Sequence, residues 1–213
     1  MNANFHLHPP KTGGSSIITA LLEHSPSSKE KYGNYYKQQV YVHYSPITIK
    51  MDVGNSVTLG IRDPYERLIS LTRWINRQGI YKTHYTLKKH FAEARRYSKI
   101  DWSEDHARFK NFEYKWAIQA TLNDWENSVN EDCEVKLIRF ENLVEDFQAI
   151  YPIELPHIHH VPEPVPFSHI QENFDSQETL DKFNTWYEKD FERYSYTMIT
   201  DINDLYQKYQ DNG

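Results

Sequence analysis

Cysteine is nearly absent from this chain. Its 213 residues include one, Cys133, so no internal disulfide can form. Cys133 stands in the apolar run "CEVKLIRF", where a buried, inert thiol is the expected state. Long hydrophobic runs are missing too, and the N-terminus shows no signal-peptide pattern. No membrane segment is therefore expected, and the cytoplasm is the expected compartment. There is no excess of positive charge: the formal net charge is −6, which removes general nucleic-acid binding from the default expectations. Internal repeats are absent. Glycine is scarce, with seven residues in all, and two of them are adjacent at positions 13 and 14.

Aromatic residues are abundant, at 15% of the chain with sixteen tyrosines, while the apolar share is a modest 38%. This composition fits a globular protein with a wet, aromatic-rich surface or groove, and does not fit a disordered chain. The length suits a single domain over 1–213 with a sizeable core.

Periodicity organises the chain into alternating elements. "ANFHLH" reads as a first strand, and "SSIITALLEH" as a helix with Ile17, Ile18, Leu21 and Leu22 on one face. "QVYVHY" and "SVTLGIR" read as further strands. "DPYERLISLTRWINRQG" carries a helix start, with Asp63 at the cap, Pro64 at the first position and Glu66 at capping-box spacing; it stops at Gly79. "HARFKNFEYKWAIQATLNDWENSV" reads as one long amphipathic helix, "CEVKLIRF" as a strand, and "LPHIHHVPEPVPF" as a proline-rich loop. From "SQETLDKF" onward two helices are expected. Strands alternating with helices predict an α/β core with a mainly parallel sheet and a helical C-terminal region.

The adjacent glycines lie in "HPPKTGGSS", residues 8–16, between the first strand and the first helix. A strand, a glycine-containing loop and a helix N-terminus together make an anion-binding layout, because the first turn of a helix offers unpaired N–H groups and the positive end of its dipole. Gly13 and Gly14 permit close backbone approach, Lys11 adds a mobile charge, and Thr12, Ser15 and Ser16 add hydroxyl donors. An ordinary strand-to-helix turn is the plain alternative. A Walker A loop is excluded, since the lysine precedes the glycines and no Gly-Lys-Ser/Thr ends the loop.

"PKTGGSS" resembles the 5′-phosphosulfate loop of sulfotransferases that use 3′-phosphoadenosine-5′-phosphosulfate (PAPS), most of all the Golgi-type carbohydrate sulfotransferases. His8, Pro10, Lys11, Thr12, Gly13, Gly14 and Ser16 carry the match. "IRDPYERLIS" resembles the 3′-phosphate motif of the same family: Arg62 at a strand end, Asp-Pro, and Ser70 eight residues after the arginine. Asp63 and Ser70 are about two helical turns apart and share a face, so that a guanidinium and a hydroxyl can grip one phosphate. The plain alternative is a surface arginine paired with Asp63 or Glu66. "KLIRFENLVED" and "YEKDFERYSY" add fainter likenesses, and the 80–130 region adds none.

The resemblance implies a P-loop-like three-layer core and in-line transfer of a sulfuryl group from PAPS to an acceptor hydroxyl, leaving adenosine 3′,5′-bisphosphate (PAP). It implies a carbohydrate acceptor and no required metal. In that scheme Lys11 stabilises the departing bridging oxygen, and the N–H groups of Gly13 to Ser16 hold the 5′-phosphate. His43, closing "QVYVH", is the general base, with His84 and Glu113 as substitutes. The basic stretch from Arg73 to Lys99, eight Lys/Arg against Glu93 alone, suggests an anionic acceptor, a solvated helix face being the alternative. His157, His159 and His160 form an H-x-H-H cluster with no partner set that would complete a metal site. Two other functions stay open, a P-loop small-molecule kinase and a non-catalytic PAP-binding module.

Overall fold

The computed structural model describes residues 5–24, 56–79, 83–97, 120–129, 131–156 and 165–210. The strand expected at "QVYVHY" and the loop histidines 157, 159 and 160 lie outside them. The chain divides into two compact units, each assembled from two stretches of sequence. One comprises Met1–Arg62 and Asp101–His159, the other Asp63–Ile100 and His160–Gly213.

The first unit is mixed α/β. Strands β1 (Phe5–Leu7), β2 (Ser56–Ile61) and β3 (Glu134–Arg139) form an open parallel sheet in the order β1-β2-β3. The register pairs Leu7 with Leu59 and Ile61 with Arg139. The central strand β2 is buried from Val57 to Ile61, as its nearly unbroken apolar run requires of a strand covered on both faces. Helix α1 (Gly14–His24) follows β1 and buries Ile17, Ile18 and Ala20. The short helix α4 (Leu122–Glu126) precedes β3; a 3₁₀ turn at Phe140–Asn142 and helix α5 (Leu143–Ile150) follow it. Ile17, Ala20, Ile138, Phe147 and Tyr151 form the core here.

The long helix expected across 106–129 does not run through its described end. Thr121 is extended and begins a new five-residue helix by a reciprocal cap, its hydroxyl accepting from the Asp124 N–H and the Asp124 carboxylate from the Thr121 N–H. A capping box written into the sequence overrides the apolar period around it. Cys133 is half-buried instead of buried, at the start of β3; burial and the Glu134 charge raise its thiol pKa.

Among its described residues the second unit is helical: α2 (Pro64–Gln78), α3 (Leu87–Tyr97), α6 (Phe167–Asn173), α7 (Gln177–Tyr194) and α8 (Ile202–Gln210). Helix α2 starts and stops where its sequence predicts, with the Asp63 carboxylate accepting from the N–H groups of Tyr65 and Glu66, and Gly79 as C-cap. The aromatic residues expected at a wet surface largely form this unit's interior. Phe183 lies 5.0 Å from Tyr65 and 4.6 Å from Tyr187, ring centre to ring centre. Tyrosine suits such a core only if each hydroxyl finds a partner. Tyr65 donates to Asn184 Oδ1 at 2.7 Å and accepts from the Ile199 N–H at 2.9 Å; burial lifts its pKa to about 12. No helix among the described residues is long and apolar enough to cross a membrane.

Candidate functional site: an anion-binding loop

The loop after β1 is built by buried contacts at several of its residues. Thr12 is fully buried, and its hydroxyl donates to the Pro9 carbonyl at 2.8 Å, closing the chain on itself. The seat for Thr12 is Gly60 on β2, where a Cβ would stand 2.7 Å from the threonine Oγ1. Gly13 takes φ +81°, a region that favours glycine, with the side chains of Phe140 and Leu143 packed against it. Gly14 opens α1 beneath the ring of His8; a Cβ there would meet His8 Cδ2 at 1.9 Å. Both glycines are therefore required, for different reasons.

Lys11 also has a positive φ, +71°, which costs an L-residue about 1 kcal/mol or more. The loop thus places a lysine on a strained residue three positions before the first residue of a helix. Ser15 is exposed, whereas Ser16 is buried. The Ser16 N–H closes the first turn onto the Gly13 carbonyl at 3.1 Å. The N–H groups of Gly14 and Ser15 precede the first intrahelical bond and supply the helix-end donors.

Arg62 joins this loop from the end of β2. It is 6% exposed, its Nη1 donates to the Lys11 carbonyl at 3.4 Å, and its guanidinium lies 4.1 Å from the centre of the Phe140 ring. The structure therefore brings Lys11, Thr12, Gly13, Gly14, Ser15, Ser16 and Arg62 to one end of the sheet. Arg62 is buried, not the surface arginine of the plain alternative.

Ser70 sits in the helical unit, half-buried on α2, two turns along from the Asp63 cap. Besides capping α2, the Asp63 carboxylate lies 3.5 Å from Lys208 Nζ. His43 and Glu113 fall outside the described residues. His84 does not: it is half-exposed, with Nε2 2.6 Å from Glu172 Oε1 and 3.3 Å from Asn76 Nδ2. Within the basic stretch, Lys88 faces Asp175 at 2.5 Å. No group of three or more His, Cys, Asp or Glu side chains among the described residues is placed to hold a metal.

Gly60 and Phe140 were not singled out from sequence, and neither was Thr58, the partner of His6. His6 Nδ1 is 2.9 Å from Thr58 Oγ1, which is 3.1 Å from the Tyr151 hydroxyl. His6 Nε2 is buried with no partner among the described residues, and burial holds the imidazole pKa down to about 3. The ring stacks on His8 at 6.2 Å. The i, i+2 alternation of the two histidines was the one sequence signal pointing here. The chain matches no protein-family model, no curated protein and no solved structure.

Proposed function

We propose that this chain is a sulfotransferase, resembling the Golgi-type carbohydrate enzymes on a P-loop-like core, that moves a sulfuryl group from PAPS to a hydroxyl of a carbohydrate acceptor. One observation carries the proposal. Lys11, in a left-handed conformation, and Arg62, bonded to its carbonyl, stand together beside the N-terminus of α1. A lysine, an arginine and a helix end at one end of a parallel sheet suit a ligand bearing several phosphate or sulfate charges.

In the proposed reaction, the N–H groups of Gly14 and Ser15 hold the 5′-phosphate. Lys11 stabilises the negative charge that grows on the bridging oxygen as its bond to sulfur breaks. The acceptor oxygen forms the new bond to the same sulfur, and its proton passes to a base, for which His43 is the candidate. Charge stabilisation by groups already in place is the main catalytic effect such a site offers. From the sequence motif alone, Arg62 and Ser70 are the proposed readers of the 3′-phosphate.

Calorimetric titration with PAP and with ATP, both without Mg²⁺, tests the nucleotide assignment. Turnover of labelled PAPS against a panel of neutral and anionic glycans tests the reaction and separates an enzyme from a binding module. Absence of PAP binding would end the proposal. Binding of PAP with no turnover on any glycan would leave a binding module in its place.

A further inference from the structure

Register places one more residue in this site. The last pair between β2 and β3 is Ile61 with Arg139, so the next residues of the two strands, Arg62 and Phe140, leave the sheet side by side. The Phe140 ring then meets both halves of the loop site. Its face lies 4.1 Å from the Arg62 guanidinium, and its edge packs where a Cβ on Gly13 would come within 3.1 Å. Arg62 in turn reaches Lys11 through a hydrogen bond of 3.4 Å, long for an N–H donor to oxygen and unable by itself to fix the plane of a guanidinium. An aromatic face adds a constraint of its own, because a planar cation stacked on a ring keeps its orientation as well as its place.

We infer that Phe140 is a positioning residue of the anion site. It fixes the Arg62 guanidinium at a set distance from the Gly13 backbone, so that the arginine and the loop act on one ligand together. The inference rests on the reading of this loop as a PAPS site and adds a residue to it. Phe140 does not touch the ligand in this account; its whole effect passes through Arg62.

The test is a double-mutant cycle read by calorimetric titration with PAP and, in parallel, with inorganic pyrophosphate, both without Mg²⁺. Phe140→Leu and Phe140→Met keep apolar bulk against Gly13 and Leu143 and remove the aromatic face. Both are made, so that failure of one to fold, judged by thermal unfolding, leaves the other. Each should weaken PAP about tenfold, while Phe140→Tyr should stay within about twofold of the parent. In an Arg62→Ala background the Phe140 substitutions should change affinity by no more than about twofold, because the group they act through is gone. Unchanged PAP affinity in Phe140→Leu and Phe140→Met would overturn the inference, and so would an equal loss with and without Arg62. If the parent protein binds pyrophosphate and not PAP, the PAPS reading falls and the pyrophosphate cycle decides the role of Phe140. If it binds neither, both fall.

Discussion

The hydroxyl of Thr12 donates to the carbonyl of Pro9 at 2.8 Å, inside the loop that joins β1 to α1. The loop is therefore braced from within by a buried bond. Thr12→Val keeps the branched shape and removes the donor. A buried carbonyl is left unsatisfied, which costs about 1–3 kcal/mol. Thr12→Ser should recover most of that loss. Urea denaturation of the two variants measures the difference, and equal stabilities would show that the bond contributes nothing.

Lys11 separates strain from chemistry. Its φ of +71° is unfavourable for any residue with a Cβ and harmless for glycine. Lys11→Gly should be more stable than Lys11→Ala by about 1 kcal/mol. On the proposed reaction, both should abolish sulfuryl transfer while PAP binding weakens only moderately, because the ammonium would act on charge that develops in the transition state. Near-normal kcat in either variant would remove Lys11 from the reaction.

Arg62 and Ser70 should part company when ligands with and without a 3′-phosphate are compared. Ser70→Ala should weaken PAP by about 0.5–1.5 kcal/mol and leave adenosine 5′-monophosphate unaffected. Arg62→Ala should weaken PAP more, by about 1.5–3 kcal/mol, and should also weaken the monophosphate, since Arg62 holds the carbonyl of Lys11, in the proposed 5′-phosphate loop. Titration of both nucleotides decides this. A loss confined to PAP in Arg62→Ala would mean that the contact with Lys11 does not matter for binding.

Acid should loosen the helical unit through His90. This ring is fully buried between two tyrosines, with Nδ1 3.1 Å from the Tyr85 hydroxyl and Nε2 3.1 Å from the Tyr187 hydroxyl. Burial, assisted by the Arg67 charge beside it, holds its pKa down to about 3, against about 6.5 in the unfolded chain. Between those values the unfolded chain binds the extra proton and the folded one does not. The stabilising effect is thus complete above pH 6.5 and is lost as pH falls toward 3. His90→Gln, which can hydrogen-bond but not titrate here, should flatten the pH dependence of the urea midpoint between pH 6.5 and 4. An unchanged slope would place the acid sensitivity elsewhere.

Much of the local structure was legible in the sequence. Asp63, Pro64 and Gly79 mark the ends of α2 because caps and turn residues act on backbone within about four positions of themselves. The strands at 56–61 and 134–139, the loop before α1 and the two C-terminal helices follow from period and composition in the same way. Helices α3, α5 and α6 do not. Helix α3 takes a cap from outside its own neighbourhood, the Leu87 N–H donating to Asn173 Oδ1 at 3.2 Å. Short helices of this kind, seven to eleven residues here, depend on packing more than on propensity.

The site divides along the same line. Lys11, Gly13, Gly14 and Arg62 are singled out because their two motifs resemble those of sulfotransferases; residue type and spacing alone leave an ordinary turn and a surface arginine open beside that choice. That Arg62 is buried, that Thr12 turns inward onto Pro9, and that Phe140 stands against both Arg62 and Gly13 came only from the tertiary structure. The Thr12 bond is local, three residues back along the loop, but the meeting of Arg62 with Phe140 is set by the parallel register of β2 with β3, and register is a long-range choice. It depends on which faces of distant strands can be buried together, which no short stretch of the chain records.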